Sequence, residues 1–183
     1  MTGRTGQSAP SIERTRSGLR PPSAAHVKPY GDGAHMSDSA VFEGGCLCGA
    51  VRYRATSPPL RGVICHCSMC RRHSGGPVLA FVHFRVQDLV WVRGEPTRYR
   101  SSAFAERGFC STCGSTLSMH EEVLADRVQI AVGSLDQPQR VRIDDHVWTQ
   151  HQLPWFLIED RLPRFATSST AVPTNAVGGD GET

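Results

Sequence analysis

The sequence has no long apolar run and, beyond its first 36 residues, no excess of charge of either sign. A transmembrane helix requires about 20 consecutive apolar residues, and no segment approaches that length, which excludes a helical membrane span. Residues 1–36 carry five basic and two acidic residues and account for the whole net charge of +3. A nucleic-acid binder usually concentrates basic charge on its folded part. We therefore expect neither a nucleic-acid partner nor a membrane partner.

The N-terminal segment also has no apolar stretch of the kind that a secretory signal peptide carries. Residues 1–36 are rich in Ser, Gly, Pro and Arg, and such a segment cannot bury enough apolar surface to offset its ordering entropy. We predict a disordered leader over 1–36, a single folded domain over 37–166 and a disordered tail over 167–183. Either Met1 or Met36 could be the true start of the protein.

Short segments rich in β-branched and aromatic residues dominate the predicted domain. They are AVRYRA (50–55), PVLAFVHF (77–84), LVWVR (89–93), STLSM (115–119), RVQIAVG (127–133) and HVWT (146–149). Turns or short helical pieces are expected at VQDL (86–89) and SLDQPQ (134–139). No stretch of the domain carries a long 3.6-residue periodicity. The sequence predicts a mainly β fold of several antiparallel sheets, cross-linked by bound metal ions.

All seven cysteines lie in short C-x-C or C-x-x-C units. Disulfides are the first alternative, but a disulfide scaffold usually has an even cysteine count and a signal peptide. Neighbouring cysteines of a C-x-C unit also pair poorly with each other. Metal ligation fits the pattern better. Because it implies a reducing compartment, we expect a cytoplasmic protein.

Seven cysteines divide naturally into four and three, since zinc binds four thiolates in a closed structural site and three protein ligands in a site that keeps one position open. FCSTCGS (109–115) is typical of a zinc knuckle, in which Gly114 permits a positive φ. A distant C-x-C pair could complete that site, because a zinc ion that closes a long loop stabilises the fold. The four ligands would be Cys46, Cys48, Cys110 and Cys113. Spacing alone also permits an exchange of pairs.

Cys65, Cys67 and Cys70 are close enough in sequence to bind a second ion. They leave one coordination position unfilled unless a histidine occupies it. In an extended segment His66 points to the opposite side from its neighbours, so it should face away from the metal, whereas His73 is near enough to ligate. Two zinc ions per chain are therefore expected, and the second site is either open or closed by His73.

An open site with three thiolates carries a net negative charge, which makes zinc a poor Lewis acid and a poor source of hydroxide. A substrate thiol in the fourth position would lose its proton and remain nucleophilic. Thiol alkylation or carbon–sulfur bond chemistry fits such a site better than peptide or ester hydrolysis.

Four segments, in this order, resemble the glutathione-dependent formaldehyde-activating (GFA) family, also called the centromere protein V/GFA domain. They are GGCLCGAVRY (44–53), CHCSMCRRHSG (65–75), GFCSTCGSTL (108–117) and HVWTQHQLPWFLIEDRLPRF (146–165). The resemblance implies a largely β fold, shared with a small guanine-nucleotide-exchange chaperone, and two zinc ions. It places the four-cysteine group at a structural site and the three-cysteine group at a catalytic site, in agreement with the division into four and three.

The family's reaction joins glutathione and formaldehyde into S-hydroxymethylglutathione. The resemblance therefore implies a zinc-dependent carbon–sulfur lyase whose partners are a small thiol, such as glutathione, and an aldehyde. It does not fix which thiol or which aldehyde is used. Nothing in the sequence indicates the oligomeric state.

Residues beside the three-cysteine group are further candidates. His73 could move a proton in catalysis, and Arg71 and Arg72 could hold the carboxylates of a thiol substrate, although solvated arginines are the simpler interpretation. Residues 74–76 are expected to form a turn. Three aromatic residues are expected to pack in the core or a lid, and two histidines have no assigned role: Trp148, Trp155 and Phe156, and His146 and His151.

Two other functions remain open on the sequence. One is a non-catalytic binding module stapled by zinc, which the centromere-protein branch of the family suggests. The other is a redox or metal sensor that uses Cys65, Cys67 and Cys70, although no resolving partner is obvious. An open thiolate zinc favours the enzyme, and a zinc closed by histidine favours the module.

Overall fold

The computed structural model describes residues 41–169. Within them the chain forms ten strands and one α-helix. The strands are β1 (Phe42–Gly45), β2 (Arg52–Ala55), β3 (Arg61–Cys65), β4 (Leu79–Arg85), β5 (Leu89–Arg93), β6 (Thr97–Arg100), β7 (Ala105–Phe109), β8 (Thr116–Glu121), β9 (Arg127–Ala131) and β10 (Asp145–Val147), and the helix α1 is Ser68–Ser74. The prediction of a mainly β fold is confirmed.

The strands form a three-stranded sheet, in the order β1-β2-β5, and a seven-stranded sheet, in the order β10-β3-β4-β9-β8-β7-β6. Pairing is antiparallel except between β10 and β3, which are parallel. The expectation of antiparallel sheets is therefore right with one exception. This exception follows from the chain path, because β10 returns to the sheet edge long after β3 and has no hairpin to reverse it.

The seven-stranded sheet buries apolar side chains on both faces. Along β4 the side chains alternate: Val82 and Phe84 pack with Tyr53 of the small sheet in one core cluster. Phe81 packs on the opposite face, in a second cluster that contains Cys65, Cys67 and Cys70. The three-cysteine group is thus part of the core on the face that the small sheet does not cover.

The six predicted strand segments all contain a strand, and LVWVR matches β5 residue for residue. Strands β1, β3, β6 and β7 were not predicted, because each is short and contains glycine or charged residues. VQDL contains the short 3₁₀ helix Val86–Asp88, as expected.

The helix α1 was also missed, because its seven residues are too few to show a periodicity. It has clear end signals in the structure. The Cys67 side chain caps its N-terminus and accepts a hydrogen bond from the backbone N–H of Cys70. Gly75 ends it in the left-handed conformation, with φ 71°, and donates its N–H to the Arg71 carbonyl. Both ends of α1 are therefore capped by hydrogen bonds.

The predicted HVWT strand ends at Val147 instead of Thr149. Trp148 has φ 59°, a left-handed conformation that is unusual for a residue with a side chain, and a 3₁₀ turn follows at Thr149–His151. The Trp148 ring stacks on His151, with 6.3 Å between ring centroids. This turn lies over the end of β3, where Cys65 is located.

The predicted leader 1–36 lies outside the described residues, as does most of the predicted tail. At the tail boundary, the Thr167 carbonyl accepts a hydrogen bond from the Trp148 N–H and the Ser169 hydroxyl accepts one from Arg61. The boundaries themselves stay predictions. Within residues 41–169, no helix has the length and apolar character needed to cross a bilayer.

Candidate metal centres

The four-cysteine group is formed by two loops that the strand order brings together. Cys46 and Cys48 lie in the loop between β1 and β2, and Cys110 and Cys113 in the loop between β7 and β8. Each loop turns at a glycine with φ 75°, Gly49 and Gly114, a conformation that other residues adopt only with strain. The four Sγ atoms lie within 4.8 Å of one another, so this group could hold a metal ion.

Hydrogen-bond donors favour the thiolate form of two members of the four-cysteine group, Cys46 and Cys113. Cys46 Sγ accepts a hydrogen bond from the Val51 N–H at 3.2 Å. Ser115 Oγ lies 3.2 Å from Cys113 Sγ and accepts a hydrogen bond from the Leu47 N–H. The Ser115 side chain lowers the pKa of Cys113 to about 5. Ser115 therefore ties one loop to the other and stabilises the charged form of a ligand.

The three-cysteine group lies at the end of β3 and the start of α1. Cys65 is the last residue of β3, Cys67 caps the helix and Cys70 is in its first turn. All three are buried and their Sγ atoms lie within 4.8 Å of one another. Hydrogen bonding from Cys65 lowers the pKa of Cys67, and the same contact raises the pKa of Cys65. Three crowded thiols of this kind ionise together only when a cation offsets their charge.

Arg107, on β7, provides part of that positive charge and was not predicted. Its side chain is 3% exposed, and its two terminal nitrogens donate to Cys70 Sγ at 3.6 and 3.7 Å. Its Nε donates to Ser101 Oγ at 3.1 Å. A buried guanidinium requires an anionic partner, and a thiolate at Cys70, which a bound cation would produce, supplies one. The donor set and this contact fit zinc, which prefers thiolate ligands.

His66 is buried and faces away from the three thiols. Its Nε2 lies 2.9 Å from Nδ1 of His146, whose Nε2 lies 2.9 Å from Oδ2 of Asp160. The Phe156 ring packs edge-on against His66. His146, which had no assigned role, therefore links the three-cysteine segment to residues near 160. Trp155, expected as packing, is 69% exposed.

His73 does not join the three-cysteine group. No ring nitrogen of His73 lies within the cluster of mutually close ligand atoms found among the described residues. Burial lowers the pKa of His73, and its Nε2 is buried without a hydrogen-bond partner in the described part of the chain. The structure thus brings together three of the four residues proposed for catalysis and leaves the ring of His73 apart from them.

The two candidate arginines differ. Arg71 donates from Nη1 to the carbonyl oxygens of His66 and His151, at 2.6 and 2.5 Å, so its guanidinium holds the turn after β10 against the cysteine segment. Arg72 is exposed to solvent. Neither position places a guanidinium in the cavity described next, and their role in substrate binding stays a prediction.

A cavity opens beside Cys65 on the core face of the seven-stranded sheet. It includes polar groups from four strands and an aromatic ring from the turn after β10: Arg61, Cys65, His83, Glu121, Gln129 and Trp148. Apart from Cys65, only Trp148 was considered from the sequence. A larger cavity, of about 370 Å³, is lined by Glu43, Arg54 and Asp136 and by none of the cysteines. Because a cysteine lines only the smaller of these two cavities, the smaller one is the candidate ligand site.

The fold and these sites define a mainly β protein with two cysteine groups that could each hold a metal ion. Residues 41–151 match the family described as "Glutathione-dependent formaldehyde-activating enzyme". The chain belongs to this family, the GFA family, which confirms the resemblance seen in the sequence.

Two relatives and one solved structure are also similar to the chain. A putative glutathione-dependent formaldehyde-activating enzyme of Halomonas elongata is 32% identical over 134 residues, which cover 66% of this chain and 83% of that protein. An uncharacterised lyase of Schizosaccharomyces pombe is 38% identical over 76 residues, or 42% of this chain and 55% of that one. A crystal structure of a Rhodobacter sphaeroides protein is 30% identical, with a TM-score of 0.43, over 55% of this chain and 90% of the other.

Proposed function

We propose that this protein is a zinc-dependent carbon–sulfur lyase that interconverts a small thiol and an aldehyde with their hydroxymethyl-type adduct, S-hydroxymethylglutathione being the first substrate to test. Membership of the GFA family supports a reaction of this class, and the names of the two relatives include a glutathione-dependent activity and a lyase. Reduced thiol ligands and glutathione both suit the cytoplasm, which we keep as the expected compartment.

The observation that carries the proposal is the three-cysteine group itself. Three buried thiols converge within 4.8 Å, with no fourth ligand atom from the described residues among them, and one of the three lines a cavity. A zinc ion bound there would offer a vacant coordination position and lower the pKa of an incoming thiol. A purely structural site would use four protein ligands, as the four-cysteine group does.

The chain's own residues would then have separate tasks. Cys65, Cys67 and Cys70 would hold the ion, and Arg107 would offset the charge of Cys70 and fix its orientation. The Trp148 turn would cover the cavity, which limits the water that reaches the reacting atoms. In the forward reaction the sulfur–carbon bond forms as the carbonyl π bond opens. The proton that the thiol loses balances the proton that the new hydroxyl gains.

A thiol-by-aldehyde screen with the zinc-loaded full chain tests this proposal. We expect aldehyde-dependent consumption of at least one small thiol, measured by loss of free thiol and by NMR detection of the adduct. Cys67→Ser should abolish it, whereas Arg72→Ala, an exposed substitution nearby, should reduce it only if Arg72 binds substrate. The absence of adduct exchange with every thiol and aldehyde, in a protein that holds two zinc ions, would favour the non-catalytic binding module.

A further inference from the structure

His83, on β4, is a buried histidine with no partner for its side chain. It is 5% exposed, and neither Nδ1 nor Nε2 has a hydrogen-bond partner within the described residues. Buried polar atoms are nearly always paired, because an unpaired one costs free energy. His83 also lines the cavity that contains Cys65. The ring is therefore a hydrogen-bonding group that faces a ligand site.

Strand register explains why His83 and its neighbours share one face of the sheet. Gln129 on β9 pairs with His83 on β4, and His83 pairs with Arg61 on β3. Directly paired residues point to the same face, and Cys65 is on that face because it lies four residues after Arg61. Arg61, His83 and Gln129 thus form a polar row across the sheet. The row lies two residues along each strand from the apolar side chains next to the cysteines, and it forms one wall of the cavity.

The charged groups of this wall are already paired. Arg61 forms an ion pair with Asp145, and Gln129 donates to the Glu121 carboxylate at 2.6 Å. Burial lowers the pKa of His83 to about 4, so its ring is neutral at physiological pH. A neutral imidazole offers one donor and one acceptor. The wall therefore suits an uncharged group that can both donate and accept, such as a hydroxyl, better than a carboxylate or an ammonium.

The size of the cavity restricts the ligand further. The space open to the centre of a water-sized sphere is about 50 Å³, and one water requires about 10–15 Å³ on that measure. A few heavy atoms therefore fit inside, and a tripeptide does not. The thiol's larger part must lie outside, with only its sulfur and the atoms attached to it directed inward.

We propose that this cavity binds the oxygen-bearing carbon of the thiol adduct, with His83 hydrogen-bonded to the hydroxyl of that carbon. The cavity then admits only short aldehydes, because it holds only a few heavy atoms. This inference rests on the proposed function, since it takes the adduct's sulfur to lie at the three-cysteine group. It adds the residue that recognises the second reactant: the neutral ring of His83 binds the aldehyde oxygen, which is the hydroxyl of the adduct.

Two thiols of almost equal size test the inference without turnover. 2-Mercaptoethanol and 1-propanethiol differ only in that a hydroxyl replaces a methyl group. We would titrate each into the cobalt-loaded full chain and measure the change in the cobalt absorption bands. His83→Leu should shift the ratio of the two dissociation constants about tenfold toward 1-propanethiol, as expected for loss of one buried hydrogen bond.

The control is His120→Ala, which changes a histidine on β8 that does not line the cavity. This variant should keep the wild-type ratio. The His83→Leu chain should melt at the wild-type temperature or above it, because His83 has no partner to lose in the described fold. A normal melting curve then shows that the shift in the ratio is not a folding defect.

The outcomes separate this inference from the proposed function. If both thiols change the cobalt spectrum and the ratio is the same in wild type and His83→Leu, the open site stands and the hydroxyl subsite is wrong. If His83→Leu weakens both thiols equally, the cavity binds another part of the thiol, which also contradicts the inference. If no thiol changes the spectrum of the wild-type protein, the proposed function fails, and the inference fails with it.

Discussion

The two cysteine groups use the same ligand type but are built in opposite ways. The four-cysteine group joins two loops that are more than 60 residues apart, and Cys48 in it is exposed. The three-cysteine group comes from six consecutive residues, all three of its thiols are buried, and a buried guanidinium contacts one of them. With an ion bound, the first arrangement would cross-link the chain. The second concentrates charge in the core beside a cavity.

Zinc bound at both groups would therefore serve two purposes in one small fold. A metal cross-link stabilises the fold most when its ligands are distant in sequence, because it then closes a long loop. A group of ligands close in sequence adds little cross-linking, so its burial must be explained in another way. The cavity and Arg107 offer that explanation, because both affect what happens at the thiols and neither is needed to join strands.

The largest effect should follow from opening the cross-link. Cys113→Ser removes one of the four thiols that would bind an ion between the β1–β2 loop and the β7–β8 loop. Structural zinc binding is largely folding free energy, so we expect the free energy of unfolding to fall by on the order of 4 kcal/mol or more. Thermal and denaturant unfolding of the full chain measure it. A variant as stable as wild type would show that this group is not a structural site.

The matching change in the other group should spare the fold. Cys67→Ser removes a ligand and the side chain that caps α1, and serine is itself a good helix cap. We therefore expect little loss of stability, one zinc ion per chain instead of two, and activity at least about a hundredfold lower. Zinc analysis and melting curves on the same sample check both expectations. If Cys67→Ser and Cys113→Ser unfolded equally, the distinction between the two groups would be lost.

Arg107 distinguishes the two cysteine groups, because it contacts a thiol of the three-cysteine group only. Arg107→Met keeps an apolar chain of similar length and removes the donors to Cys70 Sγ. We expect the affinity of the three-cysteine group for metal to fall about tenfold, a typical effect for a residue that contacts a ligand. Competition with a zinc-binding dye measures both affinities.

The matched control for that experiment is Arg98→Met on the neighbouring strand β6, where the arginine is exposed and pairs with Glu106. Arg98→Met should leave both metal affinities unchanged. A fall in the affinity of the four-cysteine group in Arg107→Met would mean that the substitution acts through the fold and not through Cys70.

The smallest expected effect concerns pH and the neutral state of His83. In the unfolded chain its pKa returns to about 6.5, whereas burial holds it at about 4 in the fold. Between these pH values the unfolded chain binds the extra proton, so folding stability falls as the pH falls, by at most about 1.4 kcal/mol per pH unit. The His83→Leu variant has no imidazole at this position, so its folding stability does not fall with pH for this reason. The stability of the variant relative to wild type should therefore rise between pH 7 and pH 5, and a constant difference would contradict a buried neutral His83.

The sequence identified the two cysteine groups that the structure brings together, but it did not identify their surroundings, for one physical reason. Ligand spacing within six residues is a local property, so Cys65, Cys67 and Cys70 could be grouped before any fold was known. Arg107 contacts Cys70 across 37 residues, and His83 meets Gln129 only through the register of β4 and β9. Register depends on the whole sheet, and a charged residue in a short strand gives no sign of which face it will occupy.

The missed elements have a related cause. β3 ends in Cys65 and leads directly into the capped helix, and both elements owe their shape to the core around the thiols. A seven-residue helix gains little from intrinsic propensity. It is held instead by the packing of Cys70 and by the hydrogen bonds at its two ends, none of which is visible as a pattern of apolar residues.

The central claim is that the three-cysteine group accepts a thiol from outside the chain while the four-cysteine group does not. X-ray absorption at the zinc edge tests it most directly, because it counts sulfur neighbours. Seven cysteines shared between two ions give an average of three and a half sulfurs per zinc. With saturating glutathione the average should rise to four. An average that does not change on adding glutathione, with a nitrogen scatterer that His73→Ala removes, would contradict the claim.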